Sequence, residues 1–203
     1  MNLNKENKEY WSTIWSQFKE GDKEAFAILY NLHIDRLSHY GHKLCNDRST
    51  IKDAIQEVFL DLYLRREKTK TNLENLKYYL LLSLKRNLIK KLEIRRRFDG
   101  GKLKNENTKY YEFSAEYLII ENEQNEESRK KVVNALNQLP EKQKEAIYLR
   151  FNEALDYPEI AIILGISIES VRKQVCRAIK NVRELLDSKS KVILFHFFQK
   201  KVE

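Results

Sequence analysis

The chain has 203 residues, 42% of them hydrophobic and 33% charged, with a formal net charge of +8 and an isoelectric point near 9.3. Five glycines and two prolines leave few sites for turns, which favours an all-α fold over a many-stranded sheet. The basic balance indicates an anionic partner, nucleic acid ahead of membrane, although a well-solvated surface would carry the same net charge.

The first part of the chain shows the periodicity of helices. Apolar residues recur every three or four positions over residues 26–34 and again over 51–62. The intervening polar stretch has cap chemistry, and Ser49 or Thr50 is expected to cap the second helix. A third helix is expected to begin near Leu76.

That third helix is strongly basic. Residues 85–97 hold seven basic side chains and one acidic one, and Tyr78 and Tyr79 lie just before them. Aromatic side chains beside a basic stripe are typical of single-stranded DNA binding, where rings stack on bases and cations contact the backbone. The alternative is that the tyrosines fill the core and the basic run is a solvated face.

The composition then changes to that of a linker. Residues 99–127 contain the Gly-Gly pair and mostly acidic charge, and within them 117–120 could begin a helix. We predict two small helical domains, residues 10–98 and 128–187, joined by this flexible linker. An apolar tail, 188–203, follows the second domain and is expected to pack on it or on a partner.

The second domain contains a helix-turn-helix pattern. Pro158 fits the first turn of a helix, Gly165 can adopt the left-handed conformation that ends it, and Ser167 can cap the next helix. Apolar residues are expected to point inward from both helices, namely Ile160, Ala161, Leu164, Val171, Val175 and Ala178.

The opposite face of the second of these helices is equipped for the major groove of DNA. The candidates for base contacts are Glu169, Ser170 and Lys173, close to the capping residue Ser167. The candidates for phosphate contacts are Arg172, Arg177 and Lys180. The alternative is a helical hairpin inside a core, with a solvated basic face.

Cysteine and histidine usage predicts no metal or other cofactor. Cys45 and Cys176 lie far apart and are expected to be free thiols in a reducing cytosol. His39, His42 and Cys45 are spaced three apart, but a closed zinc site normally takes four ligands. The N-terminus shows no signal peptide, and 192–198 is shorter than the roughly 20 apolar residues of a membrane span. We therefore expect a cytoplasmic protein.

The two predicted domains resemble two conserved regions of a single protein family. Residues 25–30, 53–63 and 76–92 resemble conserved region 2 of the bacterial sigma-70 family, and residues 136–185 resemble region 4. The two-domain layout and short length resemble the extracytoplasmic-function (ECF) group. The sequence of residues 169–185 is similar to that of the Bacteroidetes branch, which is associated with iron- or glycan-uptake operons.

The resemblance implies partners and surfaces. Region 2 would dock on the clamp helices of the RNA polymerase β′ subunit and capture the melted −10 element. Region 4 would bind the β flap and read the −35 element. A membrane-bound anti-sigma factor would hold both regions inactive. Residues 65–75 would hold a flipped base.

The candidate residues follow by position. Those facing the polymerase are Asp53, Gln56, Glu57 and Leu60, which fall on one helix face; a solvated acidic face is the alternative for the carboxylates. Those facing the −10 DNA are Tyr78, Tyr79, Lys85, Arg86, Asn87, Lys90, Lys91 and Arg95. The family pattern leaves either Arg86 or Asn87 at the principal base-contact position.

We therefore expect an ECF-type sigma factor that binds core RNA polymerase, directs it to promoters and helps open the −10 region, without enzymatic activity. A stand-alone helix-turn-helix repressor or activator is the alternative, and predicts dimers that bind a palindromic duplex tightly without polymerase. A helical adaptor with incidental charge predicts no salt-dependent DNA binding.

Overall fold

The structure, a computed structural model, confirms the all-α prediction. It describes residues 3–69, 71–98, 113 and 126–199, and within them the regular secondary structure is helical. The chain divides into two compact units, Met1–Lys109 and Tyr110–Glu203. The predicted linker lies mostly outside the described residues, as does the helix start predicted at 117–120.

The first unit is a helical bundle around a leucine-rich core. Its described helices are α1 (Leu3–Glu20), α2 (Lys23–Leu44), α3 (Arg48–Leu64) and α4 (Leu73–Phe98). Helices α2, α3 and α4 pack against one another, and α1 lies against α2. On α4 the fully buried leucines 76, 80, 84 and 88 recur every four residues, so they form one stripe on the side facing the bundle.

The cap of α3 differs from the predicted one. Asp47 is the N-cap, and its carboxylate accepts hydrogen bonds from the Ser49 backbone N–H at 3.0 Å and the Ser49 hydroxyl at 2.8 Å. The Thr50 hydroxyl donates to the same carboxylate at 2.9 Å. The prediction of Ser49 or Thr50 as cap is wrong because the aspartate just before them accepts from the helix start and from both hydroxyls.

Helix α4 starts earlier than predicted. It begins at Leu73 rather than near Leu76, because the Asn72 side chain accepts a hydrogen bond from the Asn75 N–H at 2.9 Å and so starts the helix. Leu76 lies fully buried within the first turns.

Helices α2 and α3 approach closely at Gly41. A Cβ atom at this buried position would lie 2.6 Å from Cγ2 of Ile51, closer than real Cβ contacts allow. The absence of a side chain therefore permits the close packing of α3 on α2.

The second unit is also helical. Its described helices are α5 (Glu126–Asn137), α6 (Glu141–Ile147), α7 (Tyr157–Leu164), α8 (Ile168–Glu184) and α9 (Ser188–Gln199), with a π-helical turn at Tyr148–Asn152. Helices α6 and α7 pack on α8, and α9 packs on α5. Helix α9 thus makes up most of the predicted apolar tail, with Ile193 and Leu194 buried. In the described part of the chain, no helix has the length and apolar content needed to cross a membrane.

One residue of the predicted linker is held by the second unit. The side-chain amide of Asn137 accepts from the Phe113 N–H at 2.7 Å and donates to the Phe113 carbonyl at 2.9 Å. Phe113 is 3% exposed. Its backbone groups are therefore satisfied by the end of α5 while its side chain packs in the interior.

Candidate nucleic-acid interface

The predicted helix-turn-helix is present as α7 and α8. Helix α7 begins with a capping box, in which the Asp156 carboxylate accepts from the Glu159 N–H at 2.8 Å and the Glu159 carboxylate accepts from the Asp156 N–H at 2.9 Å. Pro158 lies in the first turn, and Gly165 ends the helix in the left-handed region with φ 66°. These local signals confirm the predicted limits of the helix.

Helix α8 is capped and oriented as predicted. The Ser167 hydroxyl accepts from the Ser170 N–H at 3.2 Å. The predicted inward residues Ile160, Ala161, Val171, Val175 and Ala178 are buried. Leu164 is only half-buried, and Ile163 takes the buried position beside it.

The outward face of α8 carries the predicted DNA residues. Those exposed are Ser167, Glu169, Arg172, Lys173, Arg177 and Lys180, while Ser170 is half-buried. Lys173 Nζ lies 2.6 Å from a Glu169 carboxylate oxygen, one turn away. Glu169 and Lys173 therefore lie together near the start of the helix, where side chains can reach base edges.

A tyrosine that was not predicted from the sequence lies beside this face. The Arg172 guanidinium lies 5.6 Å from the centre of the Tyr157 ring, and the Arg150 guanidinium lies 5.0 Å from it. Arg150 also donates to the Leu155 carbonyl at 2.8 Å. Tyr157 therefore restrains Arg172 by a cation–π contact between α7 and α8. The sequence signal that could have identified Tyr157 is its position as an aromatic residue directly before Pro158.

Cys176 also belongs to the outward face. It is exposed, and its spacing places it one turn from Arg172 and from Lys180. With Lys180, Arg183 and Lys191 it lines a groove of about 360 Å³. Cys176 follows Glu169 by seven residues, about two helical turns, and this spacing could have placed it on the outward face from the sequence alone.

In the first unit, α3 presents an exposed face of mixed character. Asp53, Gln56, Glu57 and Leu60 are all exposed, and Leu60 exposes 56% of its surface. Leu64, which was not predicted from the sequence, continues this face one turn later and is 67% exposed. Two exposed leucines next to carboxylates are suited to a protein partner rather than to DNA.

The eight predicted −10 residues do not share one face of α4. Helical spacing places Tyr79, Arg86 and Lys90 together, Tyr78 and Lys85 on a second face, and Asn87, Lys91 and Arg95 on a third. The prediction of one continuous basic stripe is therefore too simple, because only part of the set points away from the bundle.

The third group borders α3, in a row of polar contacts that we call the α3–α4 seam. The Glu57 carboxylate accepts from Asn87 Nδ2 at 2.7 Å and from Lys91 Nζ at 2.6 Å. The Asp47 carboxylate accepts from Arg95 Nη1 at 2.9 Å. The hydrogen bonds from Lys91 and Asn87 lower the pKa of Glu57 below its usual value. The charges of Lys91 and Arg95 are thus partly neutralised by α3.

Tyr78 and Tyr79 are half-buried, so neither is a fully buried core residue. The Tyr79 hydroxyl lies 3.5 Å from Asp61 Oδ2, a weak hydrogen bond, and Asp61 also pairs with Arg65 Nε at 2.6 Å. Burial and the Asp61 charge raise the pKa of Tyr79. Tyr79 therefore stays a neutral phenol with one edge open to solvent.

The histidines and cysteine considered for metal binding have other contacts. His39 Nδ1 donates to the Asp35 carbonyl at 2.7 Å, and His42 Nδ1 donates to the Ser38 carbonyl at 2.8 Å. Cys45 is fully buried. The described residues contain no group of three or more His, Cys, Asp or Glu side chains placed to hold a metal ion.

The chain is similar to known proteins over both units. The family description of sigma-70 region 2 matches residues 29–98, and that of sigma-70 region 4 matches residues 129–182, together more than half of the chain. The ECF RNA polymerase sigma-E factor of Haemophilus influenzae is 27% identical over 177 residues, which cover 84% of this chain and 90% of that protein.

Two solved structures share the fold. The first is the sigma factor RpoE in complex with the anti-sigma factor NepR from Bartonella quintana, with a TM-score of 0.53 and 21% identity over 79% of this chain and 95% of that one. The second is CnrH in complex with the cytosolic domain of CnrY, with a TM-score of 0.50 and 16% identity over 86% of this chain and 95% of that one. The family match to region 2 covers α3 and α4 in the first unit, and the match to region 4 covers α7 and all but the last two residues of α8 in the second.

Proposed function

The chain belongs to the sigma-70 family, in its extracytoplasmic-function group, and we propose how its two units divide the work of starting transcription. The protein binds core RNA polymerase, directs it to specific promoters and helps to open the −10 region. The observation that carries this conclusion is that region 2 and region 4 both match, in the family's order, and that each contains an exposed basic helix.

The polymerase-binding surface is the α3 face of Asp53, Gln56, Glu57 and Leu60. Leu60 and Leu64 supply exposed apolar anchors, and the neighbouring carboxylates supply charge that selects a basic partner surface. This assignment agrees with the clamp-helix contact that the family resemblance implies. The β flap would be bound by the second unit.

Promoter DNA is read at two places. Helix α8 enters the major groove of the −35 element with Ser167, Glu169, Ser170 and Lys173 near base edges, while Arg172, Arg177 and Lys180 contact phosphates. On α4, the half-buried Tyr79 and the exposed Arg86 and Lys90, which share one face, meet the separated −10 strand. Opening costs roughly 1.4 kcal/mol per stacked step, and ring stacking with phosphate contacts on the captured strand offsets this cost.

The remaining expectations concern partners and place. The structural neighbours RpoE and CnrH are bound to NepR and to the cytosolic domain of CnrY. On that basis an anti-sigma factor is proposed for this chain, membrane-bound as in the family resemblance. We also propose that the chain acts in the cytoplasm and has no enzymatic activity. We also propose that the chain belongs to the Bacteroidetes branch, a proposal based on the sequence of residues 169–185 alone.

A stand-alone repressor or activator would also account for the helix-turn-helix. It gives no role to the exposed α3 face or to the basic α4 helix, both of which lie in the region 2 match. The first unit is therefore the reason for preferring an initiation factor.

The polymerase-binding surface can be tested with one matched pair of variants. Leu60→Ala is expected to weaken binding to purified core RNA polymerase about tenfold, because a central apolar anchor is lost. Leu32→Ala, which truncates a leucine of α2 that is 45% exposed, is the control and is expected to bind as the wild type does. Equal binding by both variants would place the interface elsewhere, and no binding by the wild type would overturn the proposed function.

A further inference from the structure

Glu57 belongs to two surfaces at once. It lies on the α3 face proposed to bind polymerase, with 53% of its side chain exposed. Yet both of its carboxylate oxygens are bonded to α4, Oε2 to Asn87 Nδ2 at 2.7 Å and Oε1 to Lys91 Nζ at 2.6 Å. Asn87 and Lys91 belong to the set predicted from the sequence to face the −10 DNA, but in the structure they border α3.

The carboxylate changes what Lys91 can do for DNA. A phosphate that approaches the Lys91 ammonium meets a second anion already in contact with it, so like-charge repulsion opposes the new contact. Lys91 also contributes less to counterion release, because its charge is neutralised within the protein. While Glu57 holds it, Lys91 is a weakened phosphate ligand.

The ion pair between Glu57 and Lys91 is easily broken. Exposed ion pairs contribute little net free energy, and Glu57 is more exposed than Lys91, of whose side chain 28% is accessible. A cation from a partner can therefore reach the carboxylate from the solvent side. Asp47 differs, because its carboxylate also accepts from Ser49 and Thr50 in the α3 cap, which ties its pair with Arg95 to the helix start.

We propose that Glu57 is a positioning residue that holds Asn87 and Lys91 away from DNA in the free protein and releases them when a basic side chain of RNA polymerase pairs with it. This inference rests on the proposed function. Docking on polymerase through α3 then strengthens single-strand binding through α4, without any change of fold. In the free chain the same contacts keep single-stranded DNA affinity low.

The test measures two affinities for the full-length chain carrying Glu57→Ala. The first is for a fluorescent single-stranded oligonucleotide of mixed sequence, followed by anisotropy at several salt concentrations. The variant is expected to bind about two- to fivefold more tightly than the wild type, with a steeper salt dependence. The second is for core RNA polymerase, which the variant is expected to bind more weakly.

Two further variants distinguish the release of Lys91 from a general change in net charge. Glu24→Ala removes an exposed carboxylate from the start of α2 and measures the effect of net charge alone. In a Lys91→Met background, the gain in DNA affinity from Glu57→Ala is expected to shrink, because the main group that it releases is gone. A merely structural role for Glu57 would lower both affinities.

The outcomes are distinct. DNA affinity in Glu57→Ala no higher than in Glu24→Ala, or a gain that persists undiminished without Lys91, overturns the inference. Unchanged core polymerase affinity in Glu57→Ala overturns it too. Failure of the wild type to bind core polymerase counts instead against the proposed function, and the oligonucleotide measurement on the free chain still decides whether Glu57 restrains Lys91.

Discussion

His33 gives the first unit a specific dependence on pH. It is 6% exposed, and burial, together with the charges of Arg36 and Lys77, lowers its pKa to about 4. An unfolded histidine titrates near pH 6.5. Between these values the unfolded chain binds a proton that the folded chain excludes, so the contribution of His33 is present above about pH 6.5 and is lost as the pH falls.

We expect the free energy of unfolding to decrease by about 2 kcal/mol between pH 7 and pH 5 because of His33. Urea unfolding of the wild type and of His33→Gln at both pH values measures the difference. His39→Gln, at an exposed histidine of the same helix, is the control and should keep the wild-type pH dependence. A His33→Gln variant as pH-sensitive as the wild type would show that His33 is not the group responsible.

Individual side chains were predicted well only where their partners are local in sequence. Ser167 caps α8 as expected because donor and acceptor are three residues apart. The contact of Glu57 with Lys91 spans 34 residues, and it depends on how α3 and α4 pack, which periodicity does not specify. The Asp47 cap was missed for a different reason, since Ser49 and Thr50 offered equally good cap chemistry nearby.

Helix α8 should bind DNA mainly through charge. Arg177 is exposed on its outward face, where it is proposed to contact a phosphate. Arg177→Ala is expected to weaken binding to duplexes of different sequence by a similar factor and to reduce the slope of affinity against salt by about one. Anisotropy with labelled duplexes measures both quantities.

The control for that experiment is Lys130→Ala, an exposed lysine of α5 that pairs with Glu126 at 2.7 Å. It removes the same charge from the same unit but from another helix. If Arg177→Ala and Lys130→Ala reduce the salt slope equally, the outward face of α8 has no special part in DNA binding.

The limits of the helices were easier to predict than the contacts that the helices make with other parts of the chain. The limits of α7 and α8 follow from caps, a proline and a glycine that act within a few residues. The basic run of α4 follows from the sequence, and helical spacing divides it into three faces, but which of the three borders α3 depends on how the two helices pack. The hydrogen bonds between the Asn137 side chain and the Phe113 backbone join residues 24 apart, and no sequence periodicity predicts a contact to a backbone group so far along the chain.

The chain joins two helical units, and each of them is proposed to read promoter DNA. Either unit alone would support a simpler function, since a helix-turn-helix suits a repressor and a basic helix suits a general single-strand binder. Both together, with an apolar and acidic α3 face beside the basic helix, support an initiation factor. The family resemblance of both units was readable from the sequence, whereas the hydrogen bonds of Glu57 to Asn87 and Lys91 were not.

The central claim is tested most directly by transcription in vitro with purified core RNA polymerase, using fragments of the source genome as templates and sequencing the 5′ ends of the transcripts. With the chain added, we predict discrete start sites that share −35 and −10 sequences and are absent with core polymerase alone. An unchanged transcript profile, together with tight palindromic duplex binding by the chain alone, would contradict the account and favour a stand-alone regulator.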